Sequence, residues 1–436
     1  MTQLTLLNPG AMRRVHTFSA MILLAALFMI LYITLNLETA SVPKAVRNDL
    51  HQQSSLWGQK NDVKTQSSTH ESTTTPKPDV YNVSVSDVFR QSIPQNGAYW
   101  NRLMHSALRE LDKGGNTFRH ASSWPLCREN NQESLQTNVH DFTSYPFLFQ
   151  NFLQVMNCRS PPVLFNQPNK CITSEGGGAV PIFLLLAIKS VPGNFERRQA
   201  VRETWGREVH QGGLQVRTVF LLGTSPQDHP DLSLLLSFEA QQFGDVLQWD
   251  FDESLLNLTL KMNMFLQWTL KHCPHVSFVF SGDDDVFMNT PALLKYLQSQ
   301  EVSSKAPQLY VGQIITKGSP MRDPNNKYYI PLSFFDGPYP AYAGGGGFLY
   351  SGALLQPLYS LLSVIPFFPI DDVYAGMCFN ALGVSPELHP GFKTFDIKDH
   401  DRQNLCIHKD LLLIHQRSPS QIKTLWKGIH NPLLTC

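Results

Sequence analysis

The sequence lacks the patterns that define several common classes of protein. None of its 7 cysteines form a C-x-x-C pair, which argues against a zinc ribbon. It has no excess of charge of either sign, since 35 Lys and Arg residues balance 35 Asp and Glu residues. This neutral balance gives no electrostatic reason to expect a nucleic acid as partner, and it excludes a highly charged disordered chain. The 436 residues, 42% of them apolar, suffice instead for one large domain or two ordinary ones.

The N-terminal region is uncharged over a length that can cross a bilayer. Residues 15–37 contain no Asp, Glu, Lys or Arg, which predicts a single transmembrane helix. Arg13 and Arg14 precede this stretch and residues 1–14 contain no acid, so the positive-inside rule places that tail in the cytosol. The alternative is a cleaved signal peptide, but the apolar run is long for one. We therefore expect a type II signal-anchor with the rest of the chain in the lumen.

The cysteines agree with a luminal location. All of them follow the apolar segment, and an oxidising lumen favours disulfides. Their odd number leaves one thiol that is free or bridges another chain, which would give a homo- or hetero-oligomer. Two N-x-[ST] sequons, at Asn82 and Asn257, become N-glycosylation acceptors in that compartment. The cysteines are Cys127, Cys158, Cys171, Cys273, Cys378, Cys406 and Cys436.

Composition divides the luminal part into a stem and a folded domain. Residues 38–95 are rich in Ser, Thr and Pro and poor in large apolar residues. Such a segment cannot bury enough surface to offset its ordering entropy, and it is typical of an O-glycosylated stem. Residues 96–436 form the predicted catalytic domain. Its first part, 96–175, contains aromatic residues and three cysteines but weak periodicity, so we expect an irregular, disulfide-tied lead-in.

Strands and helices alternate from about residue 178 onwards. Continuous apolar runs predict strands buried on both faces, and the segments between them have helical spacing. The alternation favours an α/β fold with a mostly parallel, Rossmann-like sheet flanked by helices, in which ligands bind beyond the carboxyl ends of the strands. The predicted strands are 180–190, 216–223, 246–251 and 276–280, and the predicted helices are 197–206, 231–244 and 257–273.

Three consecutive aspartates, Asp283 to Asp285, follow the last of these strands in "FSGDDDVFMN". They could form a solvated turn or a helix cap, but they adjoin an apolar strand, and their mutual repulsion would be relieved by a divalent cation. An EF-hand is excluded, because Met288 and Leu294 replace the required glycine and glutamate. A D-x-D pattern at a strand end suits a metal that also binds a nucleotide diphosphate.

A run of four glycines lies in "YPAYAGGGGFLYSG". It fits neither the G-x-G-x-x-G fingerprint nor a P-loop. It is therefore either a flexible turn or a backbone segment that approaches a ligand closely, where a Cβ would clash. Tyr339 and Tyr342 beside it offer flat faces suited to a sugar ring.

Three further groups have both a structural and a functional interpretation. Asp371 and Asp372 in "FPIDDVYAGMC" suggest that one caps the following helix while the other serves as a general base. Arg198 and Arg202 share a helix face, as surface charge or as ligands for an anion. His415 is either a buried structural histidine or a metal ligand.

These motifs together resemble glycosyltransferase family 31, the β-1,3-glycosyltransferases of the Golgi. They occur in one order from about residue 180 to Cys436. Within the family, "KYYIP", "AGGGGFLYSG" and "PIDDVYAGMC" are most similar to the N-acetyllactosaminide β-1,3-N-acetylglucosaminyltransferases. The galactosyltransferase branch more often has an E-D-V version of the last motif. The resemblance implies a GT-A-like fold on a single membrane anchor.

The resemblance also implies roles for individual residues. It places Mn²⁺ or Mg²⁺ at Asp283, Asp285 and His415, with Asp285 as the direct ligand, and it makes Asp372 the catalytic base. Leu255 departs from the family, which often has an aromatic residue there. The residues expected to bind the donor or another substrate are Lys189, Arg198, Arg202, Asp252, Lys261, Asp283, Asp284, Tyr342, Gly345 and Gly346.

The implied activity is inverting transfer of N-acetylglucosamine from UDP-GlcNAc to the 3-hydroxyl of galactose. The expected acceptor is an N-acetyllactosamine-type glycan on a glycoprotein or glycolipid at the Golgi membrane. One alternative is a β-1,3-galactosyltransferase that uses UDP-Gal. Another is a membrane-tethered carbohydrate-binding protein without turnover, although intact carboxylates at both motifs argue against it.

Overall fold

The computed structural model describes residues 84–114, 123–172, 181–208, 210–211, 214–226 and 229–436. The predicted tail, the anchor at 15–37, most of the predicted stem and Asn82 lie outside these residues. Among the described residues, no helix combines the length and the apolar character needed to cross a membrane.

Twelve α-helices occur in the described part of the chain. They are α1 Asp87–Ser92, α2 Tyr99–Asp112, α3 Trp124–Asn138, α4 Phe147–Val155, α5 Phe195–Glu203, α6 Ser233–Phe243, α7 Leu258–His272, α8 Thr290–Glu301, α9 Leu355–Leu362, α10 Asp371–Ala381, α11 Leu405–Asp410 and α12 Pro419–Ile429.

The strands form one large sheet and two small ones. In the large sheet the order is β1-β5-β4-β2-β6-β11-β8-β12, with β3 beside β4. The strands are β1 Val163–Phe165, β2 Leu184–Lys189, β3 His210–Gln211, β4 Leu214–Thr224, β5 Val246–Asp252, β6 Phe278–Asp283, β7 Phe287–Met288, β8 Tyr310–Gly312, β9 Ile314–Ile315, β10 Tyr342–Ala343, β11 Gly347–Ser351, β12 Glu387–Leu388, β13 Phe392–Lys393 and β14 Leu413–Ile414.

The central strands β5, β4, β2 and β6 are parallel, as their apolar runs predicted. Beyond β6 the sheet becomes mixed, because β11 runs antiparallel to both β6 and β8. The predicted α/β architecture with a mostly parallel sheet between helices is therefore confirmed.

Apolar residues cover both faces of this sheet. Every residue of β2 is buried, and its side chains alternate between two clusters as the strand pleat requires. Leu185 and Ala187 belong to the cluster that includes residues of α7, α9 and α10. Leu184, Leu186 and Ile188 belong to the cluster that includes residues of α5, α6 and α8. A doubly covered sheet leaves its strand ends as the natural place for polar chemistry.

The N-terminal lead-in is more regular than its sequence suggests. The expectation of an irregular segment at 96–175 is wrong, since α2, α3 and α4 lie within it. Its disulfide-tied character is confirmed by the Cys127–Cys158 bond inside it and the Cys171–Cys273 bond to the residue after α7. Folded structure also begins before the predicted boundary at 95, because α1 packs Phe89 into the core.

The seven cysteines form three disulfides within the chain and leave one free thiol. A third disulfide joins Cys406 to Cys436, and Cys378 is the remaining thiol. Cys378 lies on α10 and has no exposed surface. A disulfide to a second chain through Cys378 would require this helix to leave the core, so of the two alternatives for the odd cysteine the structure supports the free thiol.

Candidate active site

A pocket of about 480 Å³ opens where β2 and β6 end. These parallel neighbours are in register, and their last residues, Lys189 and Asp283, lie side by side. The pocket therefore occupies the edge of the sheet at which α/β proteins bind ligands. It brings together residues from five separate segments of the sequence, namely Lys189, Asp283, Gly345, Gly346, Asp371, Asp372 and His415.

Asp283, Asp285 and His415 converge on one point. One potential ligand atom from each lies within 4.8 Å of the other two, and His415 Nε2 is 3.1 Å from Asp285 Oδ1. Local pairing explains the approach, since β14 ends at Ile414 and pairs with β7, which begins at Phe287. Spacing alone could not show this contact, because Asp285 and His415 are 130 positions apart, and it was the family resemblance that implied it.

The surroundings of His415 suit a metal ligand. Its Nδ1 lies 3.0 Å from the carbonyl oxygen of Thr394, which fixes the ring when Nδ1 carries the proton. Nε2 then faces two carboxylates, and either a proton on Nε2 or a bound metal cation balances their charge. Burial lowers the pKa of His415, but the hydrogen bond with Asp285 and the charge of Asp283 outweigh it and raise the pKa overall. Two carboxylates and one imidazole fit Mn²⁺ or Mg²⁺.

Lys189 joins this group to the second pair of aspartates. Its buried ammonium lies 3.0 Å from Asp283 Oδ1 and 2.8 Å from Asp371 Oδ2, and it donates to the carbonyl of Gly345. Asp371 therefore does not cap α10 as expected. The N-cap residue is Ile370, whose side chain makes no capping hydrogen bond, and the free amide of Val373 is bonded by Asp372 instead.

Asp372 has the environment expected of a proton acceptor. Its Oδ2 accepts a hydrogen bond from the Gly345 amide at 2.9 Å, and its Oδ1 accepts one from the Val373 amide at 2.8 Å. Burial, with the neighbouring charge of Asp371, raises the pKa of Asp372 to about 7. A carboxylate with a pKa near the working pH is well matched to general-base catalysis.

The glycine run lets neighbouring side chains lie close to its backbone. A Cβ on Gly345 would lie 3.1 Å from Asp372 Oδ2, and a Cβ on Gly346 would lie 2.8 Å from the His415 ring. The two glycines therefore let Asp372 and His415 pack on the same stretch of backbone. Gly345, Gly346 and Tyr342 all line the pocket, as predicted.

Two unpaired hydroxyls also line this pocket. The hydroxyls of Tyr339 and Thr394 are buried and make no hydrogen bond within the described residues. Buried polar groups usually have partners, so both are available to a polar ligand. Thr394 carried no signal in the sequence, because it belongs to none of the motifs.

Asp284, the middle aspartate, has a structural position. Its carboxylate accepts hydrogen bonds from Ser190 at 2.6 Å and Asn194 at 2.9 Å, and it pairs with Arg197 at 3.2 Å. Only 3% of the residue is exposed. The expected contact between Asp284 and substrate is therefore wrong. This carboxylate instead links the run Asp283 to Asp285 to the first turn of α5 through Asn194 and Arg197.

Arg198 and Arg202 also do not reach the pocket. Arg198 has no exposed surface, and all its N–H groups are used by Glu239, Ser190 and two carbonyls. Arg202 pairs with Glu239 and Asp245, each at 2.7 Å. The predicted donor-binding role is wrong for both arginines. Sequence alone placed them on one helix face but could not show their partners on α6 and after it.

Lys261 and Asp252 fall outside the pocket as well. Lys261 is buried, bonds the Ser190 carbonyl at 2.8 Å and pairs with Glu253 at 2.8 Å. The predicted direct contact of Lys261 with the donor is therefore wrong. Asp252 is exposed at the end of β5 and is not among the residues that line the pocket.

The second sequon is not accessible in the folded chain. Asn257 is 6% exposed, and its amide nitrogen donates to the carbonyl of Asp252 at 2.9 Å. A glycan needs that nitrogen and open space around it, so the prediction of N-glycosylation at Asn257 is wrong for the folded protein. Asn82 lies outside the described residues.

Comparison with known proteins gives a consistent set of relatives. A family model described as Galactosyltransferase matches residues 196–390. N-acetyllactosaminide beta-1,3-N-acetylglucosaminyltransferase 2 of Mus musculus is 45% identical over 351 residues, covering 78% of this chain and 86% of its own. Acetylgalactosaminyl-O-glycosyl-glycoprotein beta-1,3-N-acetylglucosaminyltransferase of Mus musculus is 43% identical over 321 residues, 72% of this chain and 79% of its own.

A third relative is UDP-GlcNAc:betaGal beta-1,3-N-acetylglucosaminyltransferase 8 of Homo sapiens. It is 39% identical over 349 residues, which cover 79% of this chain and 84% of its own. Among solved structures, a glycosyltransferase involved in the glycosylation of the major capsid of PBCV-1 covers 56% of this chain and 98% of its own. Its TM-score is 0.30 at 14% identity, a likeness too low to support a conclusion.

Proposed function

Because the chain belongs to the galactosyltransferase family, glycosyltransferase family 31, as its motifs predicted, we propose that it is an inverting β-1,3-N-acetylglucosaminyltransferase. The donor is UDP-GlcNAc, and the acceptor is the galactose of an N-acetyllactosamine-type glycan on a glycoprotein or glycolipid. The observation that carries this proposal is the pocket that holds Asp372 together with Asp283 and His415, the two residues that converge with Asp285 on one point.

The choice of donor has separate support. The relatives described above differ in the acceptor that their names specify, but each name specifies β-1,3 transfer of N-acetylglucosamine. The family model's own description refers to galactosyl transfer, so a β-1,3-galactosyltransferase remains the second candidate.

The proposed mechanism follows from the pocket's own residues in a GT-A-like site. Asp283, Asp285 and His415 would hold Mn²⁺ or Mg²⁺, and the bound cation would supply positive charge to balance the charge of the departing UDP. Asp372 accepts the proton of the acceptor's 3-hydroxyl, so that its oxygen attacks the anomeric carbon from the face opposite UDP. One displacement of this kind inverts the α-linked donor into a β-linked product.

Lys189 supports both halves of the reaction. Its ammonium contacts Asp283 beside the metal ligands and Asp371 beside the base, which limits repulsion between the carboxylates. Its charge also lowers the pKa of Asp372 and so favours the ionised form that accepts a proton. The roles of Tyr342, Gly345 and Gly346 are to shape the wall on which the sugars lie.

The proposed location is the Golgi membrane. The uncharged segment at 15–37 anchors the chain with residues 1–14 in the cytosol, and a Ser/Thr/Pro-rich stem carries the catalytic domain in the lumen. The disulfides Cys127–Cys158, Cys171–Cys273 and Cys406–Cys436 fit an oxidising compartment.

The test compares two donors on one acceptor. UDP release is measured with UDP-GlcNAc and with UDP-Gal, each in the presence of N-acetyllactosamine and Mn²⁺, and the linkage of the product is determined. We expect turnover with UDP-GlcNAc and a β-1,3 linkage to galactose. Turnover with UDP-Gal alone would replace the proposal by the second candidate. Donor and acceptor binding without any transfer would support the non-enzymatic carbohydrate-binding alternative.

A further inference from the structure

Three large apolar side chains are exposed around the mouth of the pocket. Phe395 is 67% exposed, Met321 is 46% exposed and Tyr328 is 39% exposed, and all three line the pocket that contains Asp372. Single exposed apolar residues are common on protein surfaces. A group of them around a pocket with polar groups at its base instead marks a surface that contacts a ligand. We call Phe395, Met321 and Tyr328 the apolar rim.

Phe395 is held in its exposed position by both of its neighbours. The amide of Thr394 donates to the side chain of Gln313 at 2.6 Å. Asp396 adopts a left-handed backbone conformation with φ of 72°, which is uncommon for a residue other than glycine. Its carboxylate pairs with the buried Arg417 at 2.6 Å and also with Arg402. These contacts fix the backbone on both sides of Phe395 and so keep its ring exposed.

The apolar rim lies at the end of the pocket that holds the base. A Cβ on Gly344 would meet the Thr394 side chain at 2.6 Å, and the next residue, Gly345, donates to Asp372. Phe395 therefore comes directly after Thr394, which packs against Gly344, and Gly344 adjoins the glycine that bonds Asp372. On the other side, Ile315 pairs with Tyr342 at the start of the segment that leads to Met321 and Tyr328. The acceptor must reach Asp372, and the apolar rim lines the same pocket.

The side chains of the apolar rim themselves do not suit the charged part of the donor, and the cation beside them is Lys327, whose ammonium lies 4.8 Å from the centroid of the Tyr328 ring. A diphosphate requires cations or N–H donors, and an aromatic ring or a thioether supplies neither. A pyranose ring with equatorial substituents has an apolar face of C–H groups that covers an aromatic side chain well. We propose that Phe395, with Tyr328 and Met321, forms a subsite for the sugar next to the galactose that is modified. This inference rests on the proposed function and names the part of the acceptor that gives selectivity.

The test measures how much the second sugar improves the acceptor. The full chain is assayed with UDP-GlcNAc on N-acetyllactosamine and on methyl β-galactoside, which lacks the second sugar. For Phe395→Ala we expect the KM for N-acetyllactosamine to rise by roughly tenfold towards that of the monosaccharide. The KM for UDP-GlcNAc and the kcat should stay within about twofold of the wild type, because the metal ligands and the base are untouched.

Two further variants separate stacking from general damage to the protein. Phe395→Trp retains an aromatic face and should keep the preference for the disaccharide. Phe147→Ala removes a ring that is 73% exposed on α4 and does not line the pocket, so it should behave as wild type. A Phe395→Ala variant that keeps the full preference, or that raises only the KM for UDP-GlcNAc, would overturn the subsite.

Failure of the proposed function would be visible separately. If the wild-type chain transfers galactose instead, the same ratio of KM values is measured with UDP-Gal. If it transfers neither sugar, saturation-transfer NMR compares binding of the two acceptors to the wild type and to Phe395→Ala in the presence of UDP and Mn²⁺. Loss of disaccharide binding in the variant supports the subsite, and equal binding overturns it.

Discussion

Two clusters of charged residues lie close together at one edge of the sheet and use their charges differently. In the arginine cluster, Arg198, Arg202, Glu239 and Asp245 are all buried or nearly so, and each carboxylate is paired with a guanidinium at 2.7 Å. In the pocket cluster, Asp283, Asp371, Asp372 and His415 line an open cavity, and Asp285 lies against His415. The buried ammonium of Lys189 pairs with Asp283 and Asp371, and the partly exposed guanidinium of Arg197 pairs with Asp285 at 3.2 Å.

The difference shows what distinguishes a structural charge cluster from a reactive one. The charged residues of the arginine cluster pair with one another. Arg198 also donates a hydrogen bond to Ser190, which in turn donates one to the carboxylate of Asp284. The pocket cluster has more acid than its cations neutralise, so it favours an added cation and raises the pKa of Asp372 to about 7. We expect changes in the first to affect stability and changes in the second to affect chemistry.

The largest expected effect is on turnover, from Asp372→Asn. The amide keeps the shape of the carboxylate and can accept one of its two backbone hydrogen bonds, but it cannot take a proton. Loss of a general base typically costs about 10²–10⁴ in rate, so kcat should fall by that factor while UDP binding persists. Steady-state kinetics with UDP-GlcNAc checks it.

Asp371→Asn is the matched control for this variant. It removes the partner of Lys189 without removing the base, so its loss of kcat should be tenfold or less. If Asp372→Asn turned over within about threefold of the wild type, or if Asp371→Asn were the inactive variant, the assignment of the base would be wrong.

The second effect falls on stability, from Glu239→Gln. Removing one partner of a buried ion pair leaves an uncompensated charge and typically costs about 3–5 kcal/mol. Arg198 would lose the only carboxylate it contacts among the described residues, whereas Arg202 keeps Asp245. The free energy of unfolding in urea should therefore fall by about that amount, with the kcat of the folded protein within about threefold of the wild type.

The control for the arginine cluster is a surface pair of the same kind. Glu203 pairs with Lys423 at 2.7 Å, but both side chains are nearly half exposed. Glu203→Gln should change the free energy of unfolding by about 0–1 kcal/mol. Equal effects of the two substitutions would remove the distinction between the buried and the exposed pair.

The smallest effect is a gain of stability that depends on pH. The folded state raises the pKa of Asp372 from 3.8 to about 7, mainly through burial, with repulsion from Asp371 added and attraction from Lys189 opposing it. The native state therefore binds more protons than the unfolded state between these values, so ionisation of Asp372 destabilises the fold as pH rises through about 7.

Asp372→Asn removes that penalty. At pH 8 it should be more stable than the wild type by about 1–2 kcal/mol, a value reduced because the pocket is open and one backbone hydrogen bond is lost. At pH 4 the two proteins should differ little. Melting curves at both values of pH check the sign, and a variant that is less stable at pH 8 would contradict it.

The sequence predicted the elements that depend on local patterns. Apolar runs identified the central strands, and Gly244, in a left-handed conformation, ends α6 where its position in the sequence predicted a stop. Asp283, Asp285, Asp372 and His415 come together as the motifs implied.

The failures concern contacts between distant segments. Arg198 and Glu239 are 41 positions apart, and Lys261 meets the carbonyl of Ser190 from 71 positions away. Phe395 carried no motif, because its role depends on a loop geometry set by Arg417 and Gln313. A sequence shows which residues are charged. Whether each charge is paired depends on neighbours that only the fold brings close.

Binding of Mn²⁺ in the presence of UDP tests the account most directly. It can be followed by electron paramagnetic resonance of the free ion in wild type, Asp285→Asn and Glu239→Gln. We expect wild type and Glu239→Gln to bind Mn²⁺ with similar affinity when UDP is present, and Asp285→Asn to bind it more than about tenfold more weakly. Equal affinity of Asp285→Asn and wild type, or absence of binding by the wild type, would contradict the claim that the pocket cluster is the catalytic metal site.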